Sequence, residues 1–136
     1  MSFSILAKSY LLTTIVFFAI DLVWLGVIAK NLYSKHLGGL LAEQVNWTAA
    51  IVFYLLFIIG IFIFAILPAV EKESFKYALI YGALFGFFTY ATYDLTNLAT
   101  LKDWPIKIVL IDIVWGSVLS ASVSISGYYI TKWLGS

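Results

Sequence analysis

The chain has 136 residues, of which 63% are apolar and only 11% charged, against roughly a quarter charged in a typical soluble domain. A soluble domain of this length has too little interior to hide so much apolar side chain, and the mean hydropathy is +1.03. A net charge of +1 gives no steering field for DNA or RNA, and the absence of cysteine removes disulfides, thiolate metal sites and thiol nucleophiles. What remains is a single polytopic membrane domain rather than a soluble enzyme, a disordered chain or a nucleic-acid binder.

Four runs come close to the ~20 apolar residues needed to cross ~30 Å of hydrocarbon. They cover residues 9–29, 48–69, 77–98 and 105–133. The first is too long for a secretory signal and lacks a small-x-small cleavage site, so it reads as a membrane helix. The connection after it is the longest in the chain, contains Gly38-Gly39, and predicts a short interfacial helix over 37–45. Glu71-Lys72-Glu73-Ser74 and Lys102-Asp103-Trp104-Pro105 are tight charged loops. Pro105 suits a first helical turn and Asp103 a helix cap, while Pro68 falls near a helix end, where a missing donor matters least. Backbone groups in lipid must be paired within their own segment, so all four runs are expected to be helices. The predicted fold is all-α, an integral membrane four-helix transmembrane bundle with both termini on one side.

Membrane orientation is not fixed by charge. All the basic residues are lysines: Lys8, Lys72, Lys76 and Lys132 fall on the side of the termini, and Lys30, Lys35, Lys102 and Lys107 on the other. The positive-inside rule is balanced. Dual topology is one reading. A single orientation with cytoplasmic termini, favoured by the N-terminal amine, is the preferred one.

Glu43, Glu71, Glu73 and Asp103 lie in loops, whereas Asp21, Asp94 and Asp112 fall inside the apolar runs. Intramembrane acids are expensive and are functional candidates by default. At 1.5 Å per residue, each lies roughly 6–14 Å below the same membrane surface, the one opposite the termini. No lysine lies within the runs to neutralise them. Such carboxyls tend to stay protonated, or else a metal ion, a substrate cation or a shared proton supplies the positive charge. Trp24, Tyr54, Tyr90, Tyr93, Thr96, Asn97 and Trp115 lie at similar depth. The candidate ligand- or proton-binding set is therefore Asp21, Trp24, Tyr90, Tyr93, Asp94, Asn97, Asp112 and Trp115. As a metal site, Asp21, Asp94 and Asp112 would suit a hard divalent cation, the one cofactor this donor set favours. The lone His36 sits beside Lys35 in a loop and reads as a solvated residue.

Two further patterns stand out. Ile20-Asp21-Leu22-Val23-Trp24 and Ile111-Asp112-Ile113-Val114-Trp115 are near-copies that would run in opposite directions across the membrane, as the halves of inverted-repeat transporters do. Gly82-x-x-x-Gly86 and Gly116-x-x-x-Ser120-x-x-x-Ser124 mark faces of close helix approach. Packing inside the bundle is the simpler use of those faces, and self-association the sharper one. Trp47, Trp104 and Trp133 read as an interfacial belt.

Asp21-x-x-Trp24-Leu25-Gly26, Tyr33 with Leu37-Gly38, the stretch from Tyr90 through Tyr93-Asp94-Leu95-Thr96-Asn97 to Thr100, Trp104-Pro105 and Asp112-x-x-Trp115-Gly116 resemble the bacterial membrane family catalogued as domain of unknown function 2177. The likeness covers nearly the whole chain. It implies a small four-span inner-membrane protein and carries no activity with it.

The preferred functional expectation is an acidic intramembrane site that couples a proton or cation to transport of a small or lipid-like ligand. Four short spans leave little room for a pathway, which implies a homo-oligomer, most simply a dimer. The alternatives are a membrane-embedded enzyme acting on a lipid or isoprenoid, with carboxylates as metal ligands or acid and base, and an accessory subunit whose acids only set helix packing.

Overall fold

A computed structural model describes all residues, 1–136. The chain is all-helical. Helix α1 (Phe3–Val23) runs into a wider π-helical turn, Trp24–Ile28, and the short α2 (Leu32–Leu37) follows. The second long rod is α3 (Trp47–Ile61), a π turn at Phe62–Ile66, and α4 (Leu67–Glu71). Two uninterrupted helices complete the chain, α5 (Phe75–Thr100) and α6 (Ile106–Gly135).

Short polar side chains set the starts of three rods. Ser2 accepts from the Ile5 amide at 3.2 Å, Asn46 from Ala49 at 3.1 Å and Ser74 from Tyr77 at 3.1 Å. With Ser2 as its cap, α1 begins at Phe3 rather than at residue 9. The sixth helix departs from expectation. Its cap position is Pro105, and Asp103 instead takes a left-handed conformation at φ 59°. The tight turn before α6 needs a residue tolerant of that backbone more than it needs a side-chain cap. The connecting helix also lies earlier than expected, over Leu32–Leu37, and residues 38–45 are non-helical. Pro68 stands in the first turn of α4, and the Leu67 amide reaches back to Phe62 across the π turn just before it. The missing proline donor is accommodated by local rewinding.

The rods are antiparallel. Tyr10 donates to the Leu55 carbonyl at 2.9 Å, and Phe17 packs on Tyr54 and Phe57. Both termini and the 72–74 turn therefore share one end, and the 29–46 and 101–105 connections share the other. The last helix is central: it packs on α1, on α5 and on the second rod. Its buried residues are mostly small or polar, among them Gly116, Ser120, Ala121, Ser124 and Gly127. In lipid there is no hydrophobic drive between helices, so close backbone approach must supply the contact energy. A side chain on Gly86 would meet the Gly116 carbonyl oxygen at 2.0 Å, and one on Gly82 would meet Ser124 at 2.5 Å. The small-residue faces of α5 and α6 are thus spent on each other. The larger core, Phe17, Phe57, Ile58, Ile61, Phe62, Ile66, Leu119 and Val123, fills the space among α1, the second rod and α6.

Three stretches are long and apolar enough to cross a membrane: Phe3–Ile28, Trp47–Glu71 and Ile106–Gly135. Leu11, Ile15, Leu56, Ile63, Leu110 and Val114 are all exposed on them. Such a surface would aggregate in water and is ordinary against acyl chains. Helix α5 matches these stretches in length but is the least apolar of the four long helices.

Candidate functional site

The end of the molecule opposite the termini holds nearly all the candidate residues. A cavity of about 240 Å³ is lined by Asp21 from α1, Trp24 and Leu25 from the π turn that follows it, Tyr33 and Leu37 from α2, Leu41 from the connection, Phe53 and Tyr54 from α3, Tyr90 and Tyr93 from α5, and Asp112 and Trp115 from α6. No lysine or histidine lines it. His36 faces elsewhere, its Nδ1 paired with the Leu32 carbonyl at 2.9 Å.

The repeated pentapeptide builds the middle of the site. Because α1 and α6 are antiparallel, the two tryptophans meet face to face: Trp24 and Trp115 stack at 4.4 Å with their planes 8° apart. Each motif's acid then lies toward the other motif's indole. The Asp21 carboxyl sits beside the Trp115 N–H and the Tyr54 hydroxyl. Asp112 reaches Trp24 through a relay, in which the Trp24 N–H donates to the Tyr33 oxygen at 3.1 Å and the Tyr33 hydroxyl donates to Asp112 at 2.6 Å. Tyr33 comes from the connection, not from a long rod. Its burial, together with the Asp112 carboxyl, pushes its ionisation well above the ordinary tyrosine value, so it remains a donor.

The three acids are not equivalent. Asp94 is fully buried at 0% exposure, Asp112 is 5% exposed and Asp21 is 7% exposed. The Asp94 carboxyl abuts that of Asp112, with the indole of Trp104 nearby. Yet neither Asp94 oxygen has a hydrogen-bond partner, and neither has the Trp104 N–H. Asp21 stands apart from this pair and faces the cavity. No three of the chain's carboxylates and imidazole gather where they could hold a metal ion, so Asp21, Asp94 and Asp112 do not form a common ligand set.

Of the residues singled out from sequence, Asp21, Trp24, Tyr90, Tyr93, Asp112 and Trp115 line the cavity, and Asp94 lies directly behind Asp112. Asn97 lies a turn further along α5, next to Tyr93 and outside the lining. Sequence reasoning left Tyr33, Tyr54 and Trp104 out of the site. Tyr54 shares the depth of the acids, which was the available signal. Trp104 reads as a belt residue by position but is buried, clustered with Leu37, Ile108 and Val109. That cluster pins α2 over the cavity and carries Tyr33 to Asp112.

Fold and site together define an all-helical membrane protein with a buried acidic, aromatic cavity near one end. The chain belongs to the family described as predicted membrane protein (DUF2177), whose model matches residues 6–129. No curated protein and no solved structure matches it.

Proposed function

We propose that the protein is a four-helix transmembrane bundle of the bacterial inner membrane whose acidic cavity holds a proton or cation and couples it to the movement of a small or lipid-like ligand. The observation that carries this reading is the Asp94–Asp112 pair: two adjacent buried carboxyls with no basic residue to neutralise them. Such a pair closes only with a proton or a cation between its oxygens. Asp112 touches both that partner and the cavity, so occupancy of the cavity and the state of the pair are linked through one side chain.

The reading needs α5 as a fourth span. Its threonines are compatible with lipid because they are satisfied within the helix. Thr89 donates to the Phe85 carbonyl at 2.8 Å, Thr92 to Phe88 at 2.6 Å and Thr100 to Thr96 at 2.8 Å, and Thr96 bonds back to Thr92. A dimer, if formed, must use a face other than the glycine and serine rows that α5 and α6 spend on each other.

The test is infrared difference spectroscopy of the purified protein across pH. A protonated-carboxyl band that titrates in wild type, and is altered in both Asp94→Asn and Asp112→Asn, is expected. A spectrum identical in wild type and both variants overturns the reading. Orientation is tested separately with single cysteines. Lys35→Cys and Lys72→Cys lie at opposite ends of the rods, so one orientation predicts that an impermeant thiol reagent labels only one of them in intact cells. Labelling of both would establish dual topology.

A further inference from the structure

We propose that the cavity receives the primary-ammonium head of an amphiphile, with the tail leaving sideways into the membrane between α3 and α5. The inference rests on the reading that this cavity is the working site, and it names the ligand class.

The head group follows from the polar groups that face the space. Asp21 is more than nine-tenths buried and lines the cavity, with the Trp115 N–H and the Tyr54 hydroxyl beside it and no cation to balance its charge. Asp112 presents a second carboxyl, already engaged by Tyr33 on one oxygen. Tyr54 and Tyr90 add hydroxyls, and Trp24 and Trp115 add indole surface. The lining is thus rich in acceptors and aromatic faces, and contains no cationic side chain. A group that complements it must bring positive charge and several N–H donors. A primary ammonium does both. A quaternary ammonium brings the charge but donates no hydrogen bond to the acceptors of the lining. A bare divalent ion lacks its third carboxylate, because Asp94 is behind Asp112 and Asp21 stands apart.

The tail follows from the shape of the wall. Toward the opposite end α5 packs on the π turn Phe62–Ile66 and on α4, and the helices separate along α3. There a cleft of about 370 Å³ is lined by Phe53, Thr89, Tyr90 and Tyr93. It shares Phe53, Tyr90 and Tyr93 with the acidic cavity. Phe53 and Tyr93 are each about half exposed. Beyond it, Phe85, Phe88 and Thr92 continue the apolar track along α5. The cavity itself is smaller than the usual pocket for a whole drug-sized ligand, so it suits a head group, and the cleft suits a chain. From the water side the cavity is covered by α2, held down by Leu37 on Trp104. The open route is lateral.

The experiment titrates octylammonium, octyltrimethylammonium and octanol into the intact protein in an uncharged detergent, read by calorimetry. Saturable binding of octylammonium is expected, with the other two probes weaker by about tenfold or more, because each lacks either the charge or the N–H donors. Asp21→Asn should weaken octylammonium by about tenfold or more, since a charge-assisted contact is replaced by a neutral one. Phe53→Ala, at an exposed position that does not threaten folding, should weaken octylammonium and leave ethylammonium unchanged. Equal binding of octanol or octyltrimethylammonium, or octylammonium binding indifferent to both substitutions, overturns the proposal. If octylammonium fails to bind while the titrating carboxyl band persists, this inference falls alone. If that band too is unaffected by Asp94→Asn and Asp112→Asn, the functional reading falls with it.

Discussion

Gly86→Ala is expected to destabilise the protein by about 3 kcal/mol, at the upper end of what overpacking ordinarily costs. The added methyl would lie 2.0 Å from the Gly116 carbonyl oxygen and 2.6 Å from Ser120 Cβ. The nearest obstacle is backbone of the facing helix, which no rotamer change can move aside. The gain of about 1 kcal/mol from replacing glycine within a helix does not offset a forced separation of α5 from α6. The same chemistry elsewhere gives a graded control. Gly60→Ala meets the tip of the Phe85 ring at 2.5 Å, and that flexible side chain can swing away, so a smaller loss is expected. Gly26→Ala meets nothing within 4 Å and should stay within about 0.5 kcal/mol of wild type. Thermal unfolding in detergent measures the order. Equal stability of Gly86→Ala and Gly26→Ala would show that α5 and α6 are not held by this close approach.

Gly116→Ala carries a second consequence. Its methyl would fall 2.2 Å from Tyr90 Cγ, the root of the ring and not its tip. Relief requires moving the whole Tyr90 side chain, which lines the cavity. Packing and site are therefore coupled at this position: the glycine that lets α5 approach α6 also makes room for a site tyrosine.

The long rods were legible in the sequence because hydrocarbon imposes both a length and an internally bonded backbone, which leaves a clear apolar signal. The depth of Asp21, Asp94 and Asp112 followed from counting residues along straight helices. Which acids meet did not follow, since it depends on helix rotation. Asp94 and Asp112 come together because Gly86 and Gly116 let α5 and α6 touch along one line, and Asp21 faces Tyr54 and Trp115 instead. The connection was the least legible part. Composition placed a helix at 37–45, but its docking is decided by burial of Leu37 against Trp104, Ile108 and Val109, a contact between segments distant in sequence. Tyr33 enters the site only through that contact. The π turns likewise left no periodic signal. One absorbs Pro68, and the other follows Asp21 and lies where Trp24 turns to meet Trp115.

Asp112→Ala should give the largest effect of any single change in the site, about 1.5–3 kcal/mol, the range for hydrogen bonds to charged groups. Asp112 is the only side chain that accepts from Tyr33 at 2.6 Å and also abuts the Asp94 carboxyl. Alanine removes both contacts, whereas asparagine would keep them, its amide oxygen accepting from Tyr33 and its NH₂ donating to the Asp94 carboxyl, so Asp112→Asn should be much the milder change. Tyr33→Phe removes the same hydrogen bond from the other side and also strands the Trp24 N–H, which donates to Tyr33 at 3.1 Å. The two substitutions act on one bond, so their combined cost should fall short of their sum, by an amount that a double-mutant cycle measures. Both release α2 from α6 without touching the Leu37–Trp104 anchor. Hydrogen exchange should therefore quicken in Leu32–Leu37 while the central turns of α6 keep their protection. If instead the costs add fully and exchange over α2 is unchanged, Tyr33 does not hold the connection over the cavity, and the cover rests on the apolar anchor alone.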